Sequence, residues 1–358
     1  MAIFHLIWSV PALYVLARVV WPLPWPLVAK VIVTVLVLAG SQFHLWSRLS
    51  SGSVFAPEFP REIVIGFNWI VGMLLMLAVF QLSLDLGALL LSALRWKVVT
   101  IPAGVRYAIM ALAALLSAVG VRNATVVPPV KDVTITVANL PPQFDGYRIV
   151  QLTDLHISRL FPREWASAVV AQTNRLGADA ILVTGDVIDG SVAMRRDDVA
   201  PLAGLSAPDG VWLSPGNHEY FFGYRAWMDH LSGLGMRLLE NAHTVVRRGD
   251  AEMVFAGVTD LSARGAGEAP PDLGATLRGA PVGAPIVLLD HQPSLARTAA
   301  AQGVTLQLSG HTHGGLIVGL DRLVARANRG FVSGWYQVGA MQLYVNNGTA
   351  LWPGMAVR

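Results

Sequence analysis

Charged side chains are almost absent from four stretches of this chain, at residues 3–20, 27–46, 63–92 and 105–121. Each is long enough to cross a bilayer as a helix, which takes about 17–25 mostly apolar residues. The first two are separated by Trp21-Pro22-Leu23-Pro24-Trp25-Pro26, a turn whose aromatic rings suit the depth of lipid headgroups. The third is longer than a span requires and must tilt or emerge, and Asp85 near its end reads as an interfacial acid. Beyond residue 121 the pattern changes. Val126-Val127-Pro128-Pro129 stops any continuing helix. Val133–Val137 alternates like a first strand, and short apolar runs then recur at 148–153, 180–184, 211–214, 254–258, 286–289 and 305–308. Helical periodicity at 165–176 and 226–239 separates some of them. The expectation is an all-α transmembrane region of about four helices over residues 1–121, a linker with the first strand over 122–145, and a layered α/β domain over 146–358.

Composition sharpens this division. The chain is 54% hydrophobic, with a mean hydropathy of +0.52. Residues 1–121 hold seven Lys/Arg against three acids, whereas the remainder is close to neutral. The basic pI therefore belongs to the membrane region and its flanks, and no nucleic-acid partner is expected. Met1–His5 lacks the positive start of a cleavable leader, so the first stretch reads as a span. Arg18, Lys30, Arg95, Lys97 and Arg106 lie in or beside the loops after the first and third stretches. By the positive-inside rule those loops face the cytoplasm, which places the C-terminal domain on the periplasmic or extracellular side of a bacterial inner membrane. There is no cysteine, which excludes disulfides, thiolate-bound metal and a thiol nucleophile.

The chemistry lies in five clusters, each just past an apolar, strand-like run: Asp154-Leu155-His156, Gly185-Asp186, Gly216-Asn217-His218-Glu219, His291, and Gly310-His311-Thr312-His313. In an α/β domain such positions converge at one edge of a sheet. Extended backbone would point Asp154 and His156 to one face, and likewise His311 and His313. Mixed oxygen and nitrogen donors suit two first-row divalent ions better than one structural zinc. Such a pair activates water and offsets charge on a phosphoryl group without a serine or cysteine nucleophile. His218, beside the candidate ligand Asn217, is placed to act as an acid.

The ordered set D-x-H, G-D, G-N-H-E, H, G-H-x-H resembles the calcineurin-like metallophosphoesterases, and among them the bacterial membrane-anchored branch. The resemblance covers roughly residues 130–352. It implies a four-layer α/β/β/α sandwich that hydrolyses phosphomonoesters, phosphodiesters or pyrophosphates with manganese, iron or zinc, manganese being favoured. It also implies Asp154, His156, Asp186 and His313 around one metal ion. Asp186 would bridge to a second ion held by Asn217, His291 and His311, and His218 would be the catalytic histidine. Some anchored relatives act on the nucleotide-sugar lipid precursor of lipid A, which makes a UDP-diacylglucosamine-type pyrophosphate a candidate substrate. One departure is that Tyr344-Val345-Asn346-Asn347-Gly348 matches a late strand and loop that a terminal strand usually follows.

Other polar residues read more plainly. His230 and His243 are expected to be structural, and Asp179 and Asp290 turn or supporting acids; Asp189, three after Asp186, could orient a metal ligand but reads as a cap or turn acid. Glu219 is either a supporting or a solvated group. Trp8, Trp21, Trp25, Trp46, Trp69 and Trp96 suit interfacial anchoring, which makes membrane lipids partners of the chain. The rival reading from another class is a non-catalytic membrane sensor that binds metal or phosphate. A transporter is poorly supported, because Asp85 alone is a meagre polar pathway.

Overall fold

The long apolar stretches become helices because a helix pairs its own backbone groups and leaves none unsatisfied in lipid, even where β-branched residues abound as in 28–37. The computed structural model describes residues 4–137, 140–316, 319 and 321–358. The chain divides into two compact units, residues 1–126 with 352–358, and residues 127–351.

In the helical unit, α1 (Ser9–Val15) lies inside a short apolar helical stretch, Leu6–Val20. It is followed by α2 (Leu27–Ser41), α3 (Phe43–Ser51), α4 (Arg61–Arg95) and α5 (Ala103–Thr125). Two of these, α4 and α5, are long and apolar enough to cross a membrane, and α2 with α3 forms a third candidate span bent by 55°. Four segments were expected from sequence. The second is interrupted at Gln42, which leaves helical geometry (ψ 23°) while its Nε2 donates to Ser9 Oγ at 2.9 Å. The first is simply shorter. At 1.5 Å per residue α4 is about 52 Å long, well beyond a hydrocarbon core of about 30 Å.

Small residues let the helices approach. A Cβ on Gly40 would lie 2.6 Å from the Ile70 side chain. Trp69 Nε1 donates to the Ala114 carbonyl and Ser117 Oγ to the Trp69 carbonyl, fastening α4 to α5. Residues 352–358 pack in this unit, not with the catalytic domain to which the sequence assigned all of 146–358. Asn68, fully buried on α4, accepts at Oδ1 from the backbone N–H of Gly354 (2.8 Å) and Ala356 (2.9 Å). Val357 fills the space over Gly72 and Gly120, and Arg358 N donates to the Gly120 carbonyl.

The second unit is an α/β sandwich of two sheets. β1 (Ile149–Leu152), β2 (Ala180–Thr184), β3 (Val211–Ser214) and β4 (Arg237–Leu238) form a parallel sheet in that order. The other sheet has the order β5-β6-β7-β8-β10-β9. Its strands are β5 (Ala242–Arg248), β6 (Ala251–Gly257), β7 (Ile286–Leu289), β8 (Leu306–Ser309), β9 (Gly334–Val338) and β10 (Met341–Val345). β6, β7, β8 and β10 run parallel, while β5 and β9 pair antiparallel with their neighbours. Alternation sorts the second sheet's side chains. Phe255, Val287, Leu289 and Leu308 pack with Leu182 and Trp212 of the first sheet between the layers, whereas Val254, Ala256, Leu288 and Leu343 face the opposite layer with Ala296 and Ala299. α6 (Arg163–Asn174), α7 (Val192–Val199), α8 (Asn217–Phe221) and α9 (Tyr224–Gly233) belong to the connections around the first sheet.

Two local expectations are corrected. Residues 133–137 form no strand. Ile135 packs on the inter-sheet core and Thr136 O accepts from the Gln342 side chain, so burial satisfies the alternation without a ladder. The helix expected over 226–239 ends at Gly233, and Arg237–Leu238 pairs with β3 instead.

Candidate metal centre

Each cluster follows the C-terminal end of a parallel strand: Asp154 and His156 after β1, Asp186 after β2, Asn217 and His218 after β3, His291 after β7, and His311 and His313 after β8. Side chains separated by up to 159 positions in sequence thus meet at one edge. Backbone bonds knit the loops together, with Asp154 N donating to Gly185 O, His156 N to Asp186 O, and Gly310 N to His291 O.

The donors converge in two groups. Asp154, His156 and His313 form one, in which His313 Nε2 is 3.3 Å from both Asp154 Oδ1 and His156 Nε2. Asp186, His291 and His311 form the other. Here His291 Nε2 is 3.2 Å from Asp186 Oδ2 and 3.2 Å from Asn217 Oδ1, which brings Asn217 into the group. His291 Nδ1 donates to the Thr184 carbonyl at 2.8 Å, so Nε2 faces two acceptor oxygens. A proton or a cation must lie among such atoms. Burial disfavours charge on His291, yet the Asp186 carboxylate raises its pKa well above the ordinary value: the pocket calls for positive charge at this point. Burial and the nearby His291 charge instead hold His311 down to about 3, leaving its imidazole unprotonated with a lone pair to offer. The donor set therefore fits two divalent ions.

The convergence does not come from extended backbone, as the i, i+2 spacing suggested. Asp154 (φ 52°), His156 (43°), Asp186 (53°), His311 (68°) and His313 (47°) are all left-handed. Each such non-glycine residue costs on the order of 1–3 kcal/mol and persists where surrounding structure over-determines it. Glycines make room for the carboxylates. A Cβ at Gly310 would lie 2.2 Å from Asp154 Oδ2, and one at Gly216 would lie 2.3 Å from Asp186 Oδ1.

Two acids that the sequence left as ordinary or undecided hold this arrangement. Asp189 lies in a turn, as the sequence suggested, but it is buried against the centre. Its Oδ1 accepts from His218 Nδ1 and lies 3.3 Å from His156 Nδ1. The turn that carries it is pinned by two fully buried side chains, Arg195 (Nε to Asp189 O, 3.0 Å) and Trp227 (Nε1 to Gly190 O, 2.9 Å). Glu219, also fully buried, accepts from Asp186 N, Val187 N and Gly216 N at 2.7–3.0 Å, tying the Asp186 loop to the Asn217 loop. The i, i+3 spacing of Asp186 and Asp189 pointed to the first but did not outweigh the plainer turn reading. Asp290 is buried behind His291 and accepts from Gln307, whereas Asp179 is outside the centre and binds Arg148 N and Arg248. His230 and His243 are away from it as well, with His243 bonded to Thr276 O.

Burial opposes charge on His218, but the Asp186 and Asp189 carboxylates lift its pKa to about 9. Its Nε2 is 3.9 Å from Asp186 Oδ2. A proton is thus held beside the Asp186 carboxylate and oriented by Asp189.

The profile of the family described as calcineurin-like phosphoesterase matches residues 147–315. A transmembrane protein with metallophosphoesterase domain from Danio rerio is 34% identical over 250 residues, which cover 66% of this chain and 56% of that protein. An uncharacterized metallophosphoesterase from Helicobacter pylori strain J99 is 31% identical over 63% of this chain and 59% of its own length. The uncharacterized metallophosphoesterase YkuE of Bacillus subtilis is 31% identical over 61% of this chain and 77% of its own. The chain belongs to the calcineurin-like metallophosphoesterase family, and its buried His/Asp metal-binding residues are intact. The matched region spans little more than half the length of the first two relatives.

Proposed function

We propose that this chain is a membrane-anchored hydrolase of the family's bacterial branch, acting on a phosphate or pyrophosphate ester carried by a lipid. The observation that carries the reading is the meeting of two buried donor groups beside a histidine that Asp189 orients. Asp154, His156, Asp186 and His313 would hold one ion, and Asp186, Asn217, His291 and His311 the second, with manganese the favoured metal. When bound, two such ions supply activated water and positive charge against the phosphoryl oxygens. The protein's part is positional. Glu219 fixes the Asp186 loop, and Asp189 holds the Nδ1 proton of His218. The proton at His218 Nε2 is then delivered to the leaving oxygen.

Apolar spans on the same chain favour a substrate confined to the same membrane, because enzyme and ester then meet in two dimensions. A UDP-diacylglucosamine-type precursor is one such ester; it is cytoplasmic and would require the catalytic domain on that face. The charge bias of the loops supports a catalytic domain on the periplasmic side, where lipid-linked or cell-wall phosphodiesters would be the substrates.

The test is hydrolysis of bis-p-nitrophenyl phosphate and p-nitrophenyl phosphate by detergent-solubilised protein with manganese titrated in, beside Asp186→Ala and His218→Ala. Metal-dependent turnover lost in both variants is the expected result. Bound metal without turnover on these esters or on lipid pyrophosphates would favour a metal-binding sensor instead.

A further inference from the structure

Where α4 stops and α5 begins, the helical unit carries a band of cations and aromatic rings. Hydrogen bonds bring its parts together: Arg106 Nε donates to Arg18 O (3.2 Å), Trp25 Nε1 to Tyr107 Oη (2.9 Å), and Lys30 Nζ to Trp21 O (2.8 Å). Arg95 and Lys97 flank Trp96, which ends α4 in a left-handed turn and is 96% exposed. The acid nearby, Asp85, is already engaged. Arg18 binds it through two N–H groups at 2.9 Å, and Tyr14 and Gln81 donate to it as well. None of Lys30, Arg95, Lys97 and Arg106 makes an ion pair among the described residues. At the other end of the α4–α5 hairpin Glu58 and Glu62 stand among Arg48, Arg61 and Arg122, so the charge there is far more balanced.

We propose that this band is a docking surface for anionic phospholipid headgroups. The charge is complementary, and the surface continues into exposed apolar side chains, Leu90, Leu94 and Val98. A soluble anion would meet the cations and leave those side chains in water; a phospholipid covers both with one molecule. Trp21, Trp25, Trp96 and Tyr107 present rings of the kind that settle at headgroup depth. The attraction is electrostatic at its outer edge, so salt weakens it. The proposal is independent of the chemistry at the metal centre.

The test uses the full chain in phosphatidylcholine bilayers with and without phosphatidylglycerol, reading co-bound lipid by native mass spectrometry. The expected result is several-fold enrichment of phosphatidylglycerol over its share of the bilayer, falling towards that share as salt rises. Replacing Lys30, Arg95, Lys97 and Arg106 together by Gln should abolish the enrichment, while Arg122→Gln at the far end of α5 should leave it unchanged. Should the fourfold variant not fold, Arg95→Gln with Lys97→Gln changes only exposed side chains and should remove a large part of the enrichment. No enrichment in the unaltered chain, or equal enrichment in the charge-neutralised variants, would overturn the proposal.

Discussion

Asp189 accepts the Nδ1 proton of His218 from a position where no solvent reaches it. Supporting partners of this kind are worth about 10–100-fold in activity or metal affinity. Asp189→Asn keeps the shape but weakens the acceptor, and turnover should drop about 10–100-fold while bound metal stays near two ions per chain. Steady-state kinetics with metal analysis would check this, and undiminished turnover would remove Asp189 from the mechanism.

Glu219 holds three backbone N–H groups at once. In Glu219→Gln the amide NH₂ must face at least one of them, leaving buried donors unpaired at a cost of about 1–3 kcal/mol each. The variant should melt at a lower temperature and lose metal more readily. Thermal unfolding with and without added manganese would measure both.

Gly310 lies so close to Asp154 that a methyl group there has to displace the carboxylate or Thr153. A misplacement of about 1 Å commonly costs about 10²-fold in rate, and Gly310→Ala should lose at least that. Gly265→Ala, which meets nothing within 4 Å, is the matched control and should retain full activity.

Removing metal should cost stability as well as activity. Five left-handed residues and the neighbouring buried carboxylates of Asp154 and Asp186 are held at the centre, and bound cations would offset the carboxylates' repulsion. Mass action predicts about 2.7 kcal/mol of stabilisation at a metal concentration of about 100 Kd. A melting temperature that does not respond to chelator would contradict the two-ion reading.

Asn68 gives residues 352–358 their acceptor inside the helical unit. Asn68→Leu leaves the Gly354 and Ala356 N–H groups without one, costing about 1–3 kcal/mol each when buried. Residues 352–358 should then become accessible to limited proteolysis while the metal centre stays loaded. Continued protection would show that Val357 packing alone holds the segment.

What a local pattern encodes was readable from the residues alone. The long apolar runs of α4 and α5 were legible because a helix in lipid needs little more than length and hydrophobicity. Asp154, Asp186, Asn217, His291 and the His311–His313 pair were legible because each polar cluster interrupts an apolar strand at its end. Tertiary structure decided everything that depends on a partner far along the chain. The left-handed turns at Asp154 and His313 arise only when several loops press together, the importance of Asp189 appears only when His218 arrives from the next strand, and the placement of residues 352–358 depends on Asn68, some 286 positions earlier. Periodicity reports which face of an element is buried, whereas a buried acceptor takes its meaning from the donor the fold brings to it.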